Sequence, residues 1–439
     1  MKDLFKKIIL DFHKRGIPKL KNRLLKIPLN SNKIITLLGI RRCGKTYYMY
    51  QMINELLKKT KLQNIVYINF EDERMNLKKE NLNEILEAYY ELYPKSKQNL
   101  YVEEENKLYL FFDEIENIPG WDKFLRRVYD DYTKDIYITG SSTQLLQKDL
   151  PNSLRGRSLI YEMFPLSFKE FLDFRDMRDE NYYMIHDRTA INFEFDTYLV
   201  NGGFPETFAY EKDLRLKTLQ SYFDLVVYKD MIERYDIQNI QALHRFLKLS
   251  INNVSQQFSV TKFYNQMKTE GYKISKDQIF KFFSYVQDCY FLFPVNKYSQ
   301  SFNAQMRNEK KIYCVDNGMA ANLSFSVSSN KGYLLENFVY MELRRHFNEI
   351  FYLKNGFECD FLVKKRNEYI PIQVTHELHD KNYEREIKGL KKAMEMLGLK
   401  TGILLVKYLD PKYENSENNI EIKPVAQFLL EDNSLFNVN

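Results

Sequence analysis

At 439 residues the chain exceeds what one hydrophobic core usually organises, so roughly two to four domains are expected. Hydrophobic residues at 44% and aromatics at 15% exclude a disordered chain, and no run approaches the roughly 18 consecutive apolar residues that span a bilayer. Lys and Arg (65) outnumber Asp and Glu (59) by 6, which permits a nucleic-acid partner without requiring one.

Four scattered cysteines, Cys43, Cys289, Cys314 and Cys359, have no C-x-x-C spacing and argue against a zinc site or a disulfide framework. A reducing cytoplasm is their simplest home. From Met1 to Arg15, Leu4, Phe5, Ile8, Ile9 and Phe12 share one helical face, with Lys2, Lys6, Lys7 and Lys14 elsewhere. Asp3 and Asp11 interrupt the basic side, so a helix packed on the following core is expected rather than one on a membrane surface.

The apolar run Ile34 to Leu38 reads as a strand, and a helical pattern runs from Tyr47 to Leu57. Between them, Gly39-Ile40-Arg41-Arg42-Cys43-Gly44-Lys45-Thr46 fits G-x-x-x-x-G-K-[ST]. Backbone N–H groups of such a loop, those of Arg42, Cys43 and Gly44 included, wrap phosphate at a helix N-terminus, with Gly39 and Gly44 free to take positive φ. Lys45 would reach the β/γ oxygens and Thr46 would place its hydroxyl on Mg²⁺, so ATP with Mg²⁺ is the expected ligand. Arg41 or Arg42 would contact phosphate or pair with Glu114.

Apolar and helical runs then alternate: a strand at Ile65–Phe70, a helix near Leu82–Leu92, a strand at Lys107–Phe112, a helix over 121–132 and a strand at Ile136–Thr139. That alternation predicts an α/β fold with a parallel sheet. Leu108 to Phe112 ends in Asp113-Glu114, where Asp113 would orient the Mg²⁺ shell and Glu114 would activate water, with Glu116 as a helper. After Ile136–Thr139, Ser141 or Ser142 would sense the γ-phosphate or else cap a helix starting near Thr143. Arg157 or Arg155, in Leu154-Arg155-Gly156-Arg157, would stabilise transition-state charge, supplied by a neighbouring subunit in a homo-oligomer; the alternative is surface salt bridging.

Beyond Pro165, Leu166 to Arg178 reads as a helix, a polar stretch to about Asp196 as a loop, and the chain to about Leu249 as helical. Asn201 to Glu206, with Gly202, Gly203 and Pro205, is a sharp break, either an interhelix turn or a contact with nucleotide. Ser259 starts a helix, Ser275 caps a second, and Tyr290–Val295 follows as a strand, the order of a winged helix. Lys276, Gln278, Lys281 and Tyr285 would face DNA if the module reads it; otherwise it packs domains together. From Tyr333 the order is helix, three strands, helix and strand, with a final strand and helix from Ile420 to Leu430.

These pieces together resemble a family of archaeal and bacterial AAA-type ATPases. The motifs are the P-loop with its paired arginines, Phe112-Asp113-Glu114-Ile115 with Pro119-Gly120-Trp121, Thr139 to Ser142, Gly156-Arg157, Pro165 to Phe168 with Glu170-Phe171, and Gly202 to Glu206. Further along are Tyr313 to Gly318, Leu335-Glu336-Asn337, Glu358-Cys359-Asp360-Phe361 and Arg385-Glu386-Ile387. The resemblance implies an ATPase core with an N-terminal helix (1–165), a helical lid or linker (166–250), a winged-helix-like module (251–315) and a restriction-endonuclease-like domain (316–439). In such nucleases carboxylates gather Mg²⁺ and a Lys orients water. Glu336 and Asp360 occupy two of the places, but Gln373-Val374-Thr375 lacks the expected carboxylate and Lys, leaving Lys354 as a candidate substitute. The expectation is a degenerate nuclease fold that binds DNA or a protein partner, attached to an ATPase acting as a motor or switch. An ATP-regulated nuclease is the further alternative.

Overall fold

A computed structural model describes every residue except 76, 95–106, 143–153, 155, 178–180, 325–326, 328–329, 415, 432–434 and 436–439. The backbone divides into two units, Met1–Met163 and Phe164–Asn439. Among the described residues no helix is long and apolar enough to cross a membrane.

The first unit opens with helix α1 (Lys2–Arg15), whose Phe5, Ile8, Ile9 and Phe12 are buried. Next come β1 (Ile34–Leu38), α2 (Lys45–Leu56), β2 (Ile65–Asn69) and α3 (Asn83–Leu92). They are followed by β3 (Tyr109–Asp113), α4 (Trp121–Asp131), β4 (Ile136–Gly140) and β5 (Ser158–Glu162). As expected, α1 packs on the core, against α3 and β2. Every position of β1, β3 and β4 is buried, the signature of strands covered on both faces.

The described strands of this unit pair in the order β2-β3-β4-β1-β5, all parallel. Parallel strands put all their C-terminal ends on one rim, where an open α/β sheet binds ligands. Because β4 lies between β1 and β3, the loop after β1 and the acids ending β3 flank the end of β4. The sequence reading placed no strand at β5. It is an edge strand beside β1 with Leu159 and Ile160 exposed, so its short run carries no strong burial pattern.

The second unit begins with α5 (Phe168–Phe174), α6 (Ile185–Asn201), α7 (Lys212–Leu225), a π-helical stretch (Val226–Glu233) and α8 (Ile240–Asn252). Here the expected loop before Asp196 is corrected. It carries most of α6, whose helical signal is blurred because apolar Phe193 and Val200 face outward while Phe195 and Tyr198 are buried. The Gly202-Gly203 break, with φ of 77° at Gly202, is a packing turn: Gly203 N–H donates to Asp316 Oδ2 at 2.6 Å. A Cβ at Gly202 would stand 2.2 Å from Asp316 Oδ1, so only glycine lets that carboxylate in.

Then come β6 (Gln257–Phe258), α9 (Val260–Thr269), α10 (Lys276–Asp288), β7 (Leu292–Lys297), α11 (Phe302–Arg307) and β8 (Lys310–Cys314). Ser259 and Ser275 cap α9 and α10 as their positions predicted, Ser275 through a reciprocal capping box with Gln278. The rest is α12 (Asn317–Leu323), α13 (Lys331–Arg344), β9 (Ile350–Lys354), β10 (Glu358–Lys365), β11 (Glu368–Thr375), α14 (Asp380–Leu397), β12 (Gly402–Val406), β13 (Ile420–Pro424) and α15 (Val425–Leu430).

The described strands of this unit pair as β13-β12-β11-β10-β9-β7-β8-β6. The β7/β8 hairpin and its helices are therefore continuous with the C-terminal strands, through the parallel pairing of Asn296 with Phe351 and Lys297 with Tyr352.

Candidate nucleotide site

The loop between β1 and α2 has its required context, with Gly44 in the left-handed region (φ 105°) as the N-cap of α2. Gly39 is not at positive φ, and the second left-handed residue is Arg42 (φ 67°), which accepts a strain of roughly 1–2 kcal/mol. Gly39 is required for a different reason: a Cβ there would lie 2.0 Å from the carbonyl oxygen of Met163, where the chain runs alongside β1. The Cys43 carbonyl accepts from buried Arg23 Nη1 at 2.8 Å, tying the loop to the segment before β1.

Lys45 is buried, and its ammonium donates to Gly39 O at 2.9 Å and lies 3.4 Å from Glu114 Oε1. Burial opposes that charge, yet Glu114, with smaller help from Cys43 and Asp113, holds the Lys45 pKa above its ordinary value. Thr46 Oγ1 donates to Asp113 Oδ2 at 2.6 Å, and Tyr67 OH donates to the same oxygen at 3.0 Å. Thr139, on β4, donates to Asp113 Oδ1 and accepts from Glu114 N–H at 2.9 Å. Burial and the neighbouring Glu114 charge push the Asp113 carboxyl up, while the Thr139 and Thr46 hydrogen bonds and Lys45 pull it back.

Glu114 takes the left-handed conformation (φ 55°) just past β3 and is buried, and its Oε2 has no hydrogen-bond partner among the described residues. Ser141, buried at the end of β4, donates from N and Oγ to Glu116 Oε1 at 3.3 and 3.2 Å. The alternative of a helix cap at Thr143 falls outside the described residues, as does Arg155. Burial pushes the Cys43 thiol up, so its part is packing and backbone. Arg41 pairs with Glu71, and it is Lys45 rather than either loop arginine that faces Glu114.

Lys45, Thr46, Asp113, Glu114 and Ser141 thus gather on one rim, and Arg157 does not join them. It precedes β5 at the opposite end of the sheet, where Ile34 N–H donates to its carbonyl and its guanidinium pairs with Asp130 at 3.2 Å. Sequence reasoning missed Thr139, Tyr67 and Arg23. Thr139 was visible as the one hydroxyl closing the apolar run Ile136-Tyr137-Ile138; no local signal marked the other two.

A nucleoside triphosphate with Mg²⁺ fits this donor set. Mg²⁺ takes one or two carboxylates together with phosphate oxygens and water rather than an all-protein cage. One hydroxyl and one carboxylate stand together here, and no cluster of three metal-ligating side chains occurs among the described residues.

A P-loop opening a helix after an interior strand of a parallel α/β sheet, with two acids ending a strand on the same rim, defines a nucleotide-binding ATPase of the P-loop class. Residues 31–172 match the family described as "AAA domain". Residues 192–330 and 331–428 match two domains of unknown function, DUF8612 and DUF4143. The chain is 37% identical to the uncharacterized protein MJ1544 of Methanocaldococcus jannaschii, over 98% of this chain and 96% of the relative. It is 26% identical to an uncharacterized protein of Haemophilus influenzae, over 90% of this chain and 93% of that one.

The chain therefore belongs to the family of MJ1544, with an AAA-type ATPase domain. Two solved structures are distantly similar: Cdc6p from Pyrobaculum aerophilum (13% identity, 69% of this chain, 90% of that one, TM-score 0.26) and the Aeropyrum pernix ORC1 protein in complex with DNA (13%, 75% and 91%, 0.28). At these TM-scores neither carries an argument about this chain.

Proposed function

We propose that the protein hydrolyses ATP with Mg²⁺ and uses the cycle as a switch acting on DNA or a DNA-associated partner. The observation carrying this reading is the set of buried Lys45, Asp113 and Glu114 with half-buried Thr46, two opposite charges and a hydroxyl–carboxylate pair converging at the N-terminus of α2. Backbone N–H groups of Arg42, Cys43 and Gly44 would receive phosphate oxygens, Lys45 would turn from the Gly39 carbonyl to the β/γ oxygens, and Thr46 and Asp113 would hold the ion. The ion supplies charge neutralisation of the phosphates.

Glu114, with an unengaged carboxylate oxygen, accepts the proton of the attacking water, and Ser141 orients the γ-phosphate side. Arg157, at the far end of the sheet, can serve only a neighbouring subunit's site, which makes a homo-oligomer part of the proposal. The stretch 316–439 is read as a degenerate restriction-endonuclease-like domain, and DNA as the effector follows from that domain reading. ATP binding and turnover test the core of the reading. Lys45→Ala is expected to lose nucleotide affinity, and Glu114→Gln to keep binding while turnover falls about 10²–10⁴-fold. Undiminished turnover in both variants sinks the assignment.

A further inference from the structure

The second unit holds a cleft of about 1110 Å³ between α13, α14 and the strands β8, β10 and β11. Glu336 of α13, Asp360 of β10 and Gln373 of β11 meet in it, as the nuclease resemblance implies. The positive charge among them is not Lys354, which is half-exposed with its ammonium 3.9 Å from Glu358. It is Lys311 of β8, buried, with Nζ 2.9 Å from Asp360 Oδ1, 3.0 Å from Glu336 Oε1 and 3.3 Å from Glu358 Oε1.

A nuclease of that fold holds a divalent ion through Glu336 and Asp360, and the residues present do not fit one. Glu336 Oε1 accepts from both Lys311 and Tyr313 OH (2.8 Å), and Asp360 Oδ2 accepts from Val374 N–H at 3.1 Å. Gln373, in place of a carboxylate, is spent on Asp360 N–H (3.1 Å) and on Glu386 Oε2 (2.8 Å). A divalent ion bridging the two acids would meet the Lys311 ammonium at contact distance, a repulsion that buried surroundings amplify.

Among the exposed residues lining the cleft, Lys331, Lys354, Arg385, Lys388 and Lys392 outnumber Glu358 and Glu377. Arg385, Lys388 and Lys392 recur at i, i+3 and i+7 on α14, on one helical face, and Lys331 opens α13 on the same cleft. Lys331, Lys388 and Lys392 are exposed and form no ion pair among the described residues. The row on α14 extends about 10 Å along the helix, a line of charge suited to a repeating polyanion rather than to one phosphate group.

We propose that this cleft binds a nucleic-acid backbone without a divalent ion, Lys311 acting as the fixed cation that neutralises Glu336 and Asp360 while Lys331, Lys388 and Lys392 take the phosphates. The proposal deepens the DNA-effector reading above and rests on that part of it.

Fluorescent random-sequence oligonucleotides, duplex and single-stranded, titrated into the full chain in EDTA and in Mg²⁺ test it. Binding in EDTA at least as tight as in Mg²⁺ is expected, with no cleavage, steep weakening by salt, and at least about tenfold loss in Lys388→Glu/Lys392→Glu. Binding that requires Mg²⁺, cleavage of either strand, no binding at low salt, or indifference to the charge reversal overturns it. Removing Lys311 alone strands buried carboxylates and can unfold the domain, so the metal arm uses wild type and Asp360→Asn. Mn²⁺ is expected to leave the melting-temperature difference between these two unchanged, and a Mn²⁺-dependent rise in the wild type that Asp360→Asn abolishes refutes the metal-free site. Lys45→Ala separates the two readings: it is expected to lose ATP turnover and keep oligonucleotide binding, whereas ATP turnover without oligonucleotide binding in the wild type leaves the ATPase standing and removes the cleft proposal.

Discussion

Thr139 does more for the nucleotide site than its neutral hydroxyl suggests. One oxygen donates to Asp113 and accepts from the backbone of Glu114, so the orientation of both acids runs through it. Thr139→Val keeps the shape and removes both bonds, leaving buried polar groups unsatisfied at about 1–3 kcal/mol. The expected result in denaturant unfolding is that loss, and in kinetics a fall in kcat with KM for ATP little changed, because Thr139 positions the acids and does not touch phosphate. A KM rise with kcat intact would show that its role is binding. Lys45 and Asp113 were legible from their neighbours in the chain, whereas Thr139 acts on residues 26 and 25 positions away that only the β3–β4 adjacency brings near.

At the scale of elements, α1 shows how an amphipathic pattern becomes a fixed attachment. Its apolar face is buried, and Phe12 meets Tyr67 with ring centroids 5.0 Å apart. His13 fastens the last turn, one ring nitrogen 2.8 Å from the Ile65 carbonyl and the other 2.8 Å from Tyr93 OH. The carbonyl can only accept, so Nε2 carries a proton and donates to it.

Burial lowers the His13 pKa against the opposing pull of the Ile65 carbonyl. A histidine whose folded pKa lies below its unfolded value of about 6.5 binds more protons unfolded, so its contribution to stability is present above that pH and is lost as pH falls through it. Unfolding between pH 8 and 5 is expected to show wild type losing stability on the acid side, and His13→Gln losing less. Parallel curves for the two proteins would remove His13 as the cause. The face of α1 was readable from spacing, but its partner was not, since Ile65 lies 52 residues on.

Over the whole molecule, strand pairing joins what the chain presents as separate stretches. The pairing of β7 with β9 makes one sheet of strands drawn from both sides of the 315/316 boundary expected from the sequence. Amides of β8 (Lys310–Cys314) and β10 (Glu358–Lys365) are therefore expected to lose hydrogen-exchange protection in one step as denaturant rises. Two steps, with β8 opening first, would mean that the hairpin stands apart energetically.

By itself the sequence determined what depends on near neighbours: a P-loop set between an apolar strand and a helix, two acids ending a buried strand, the caps at Ser259 and Ser275, and the buried face of α1. These follow from periodicity and backbone chemistry within a few residues. Only the tertiary structure decided which charge stands between Glu336 and Asp360, because Lys311 of β8 meets Glu336 of α13 and Asp360 of β10 across 25 and 49 residues. It decided equally that Arg157 lies far from its own chain's phosphate loop. A salt bridge between strands leaves no spacing rule in the chain, since pairing order and not sequence distance sets which side chains meet.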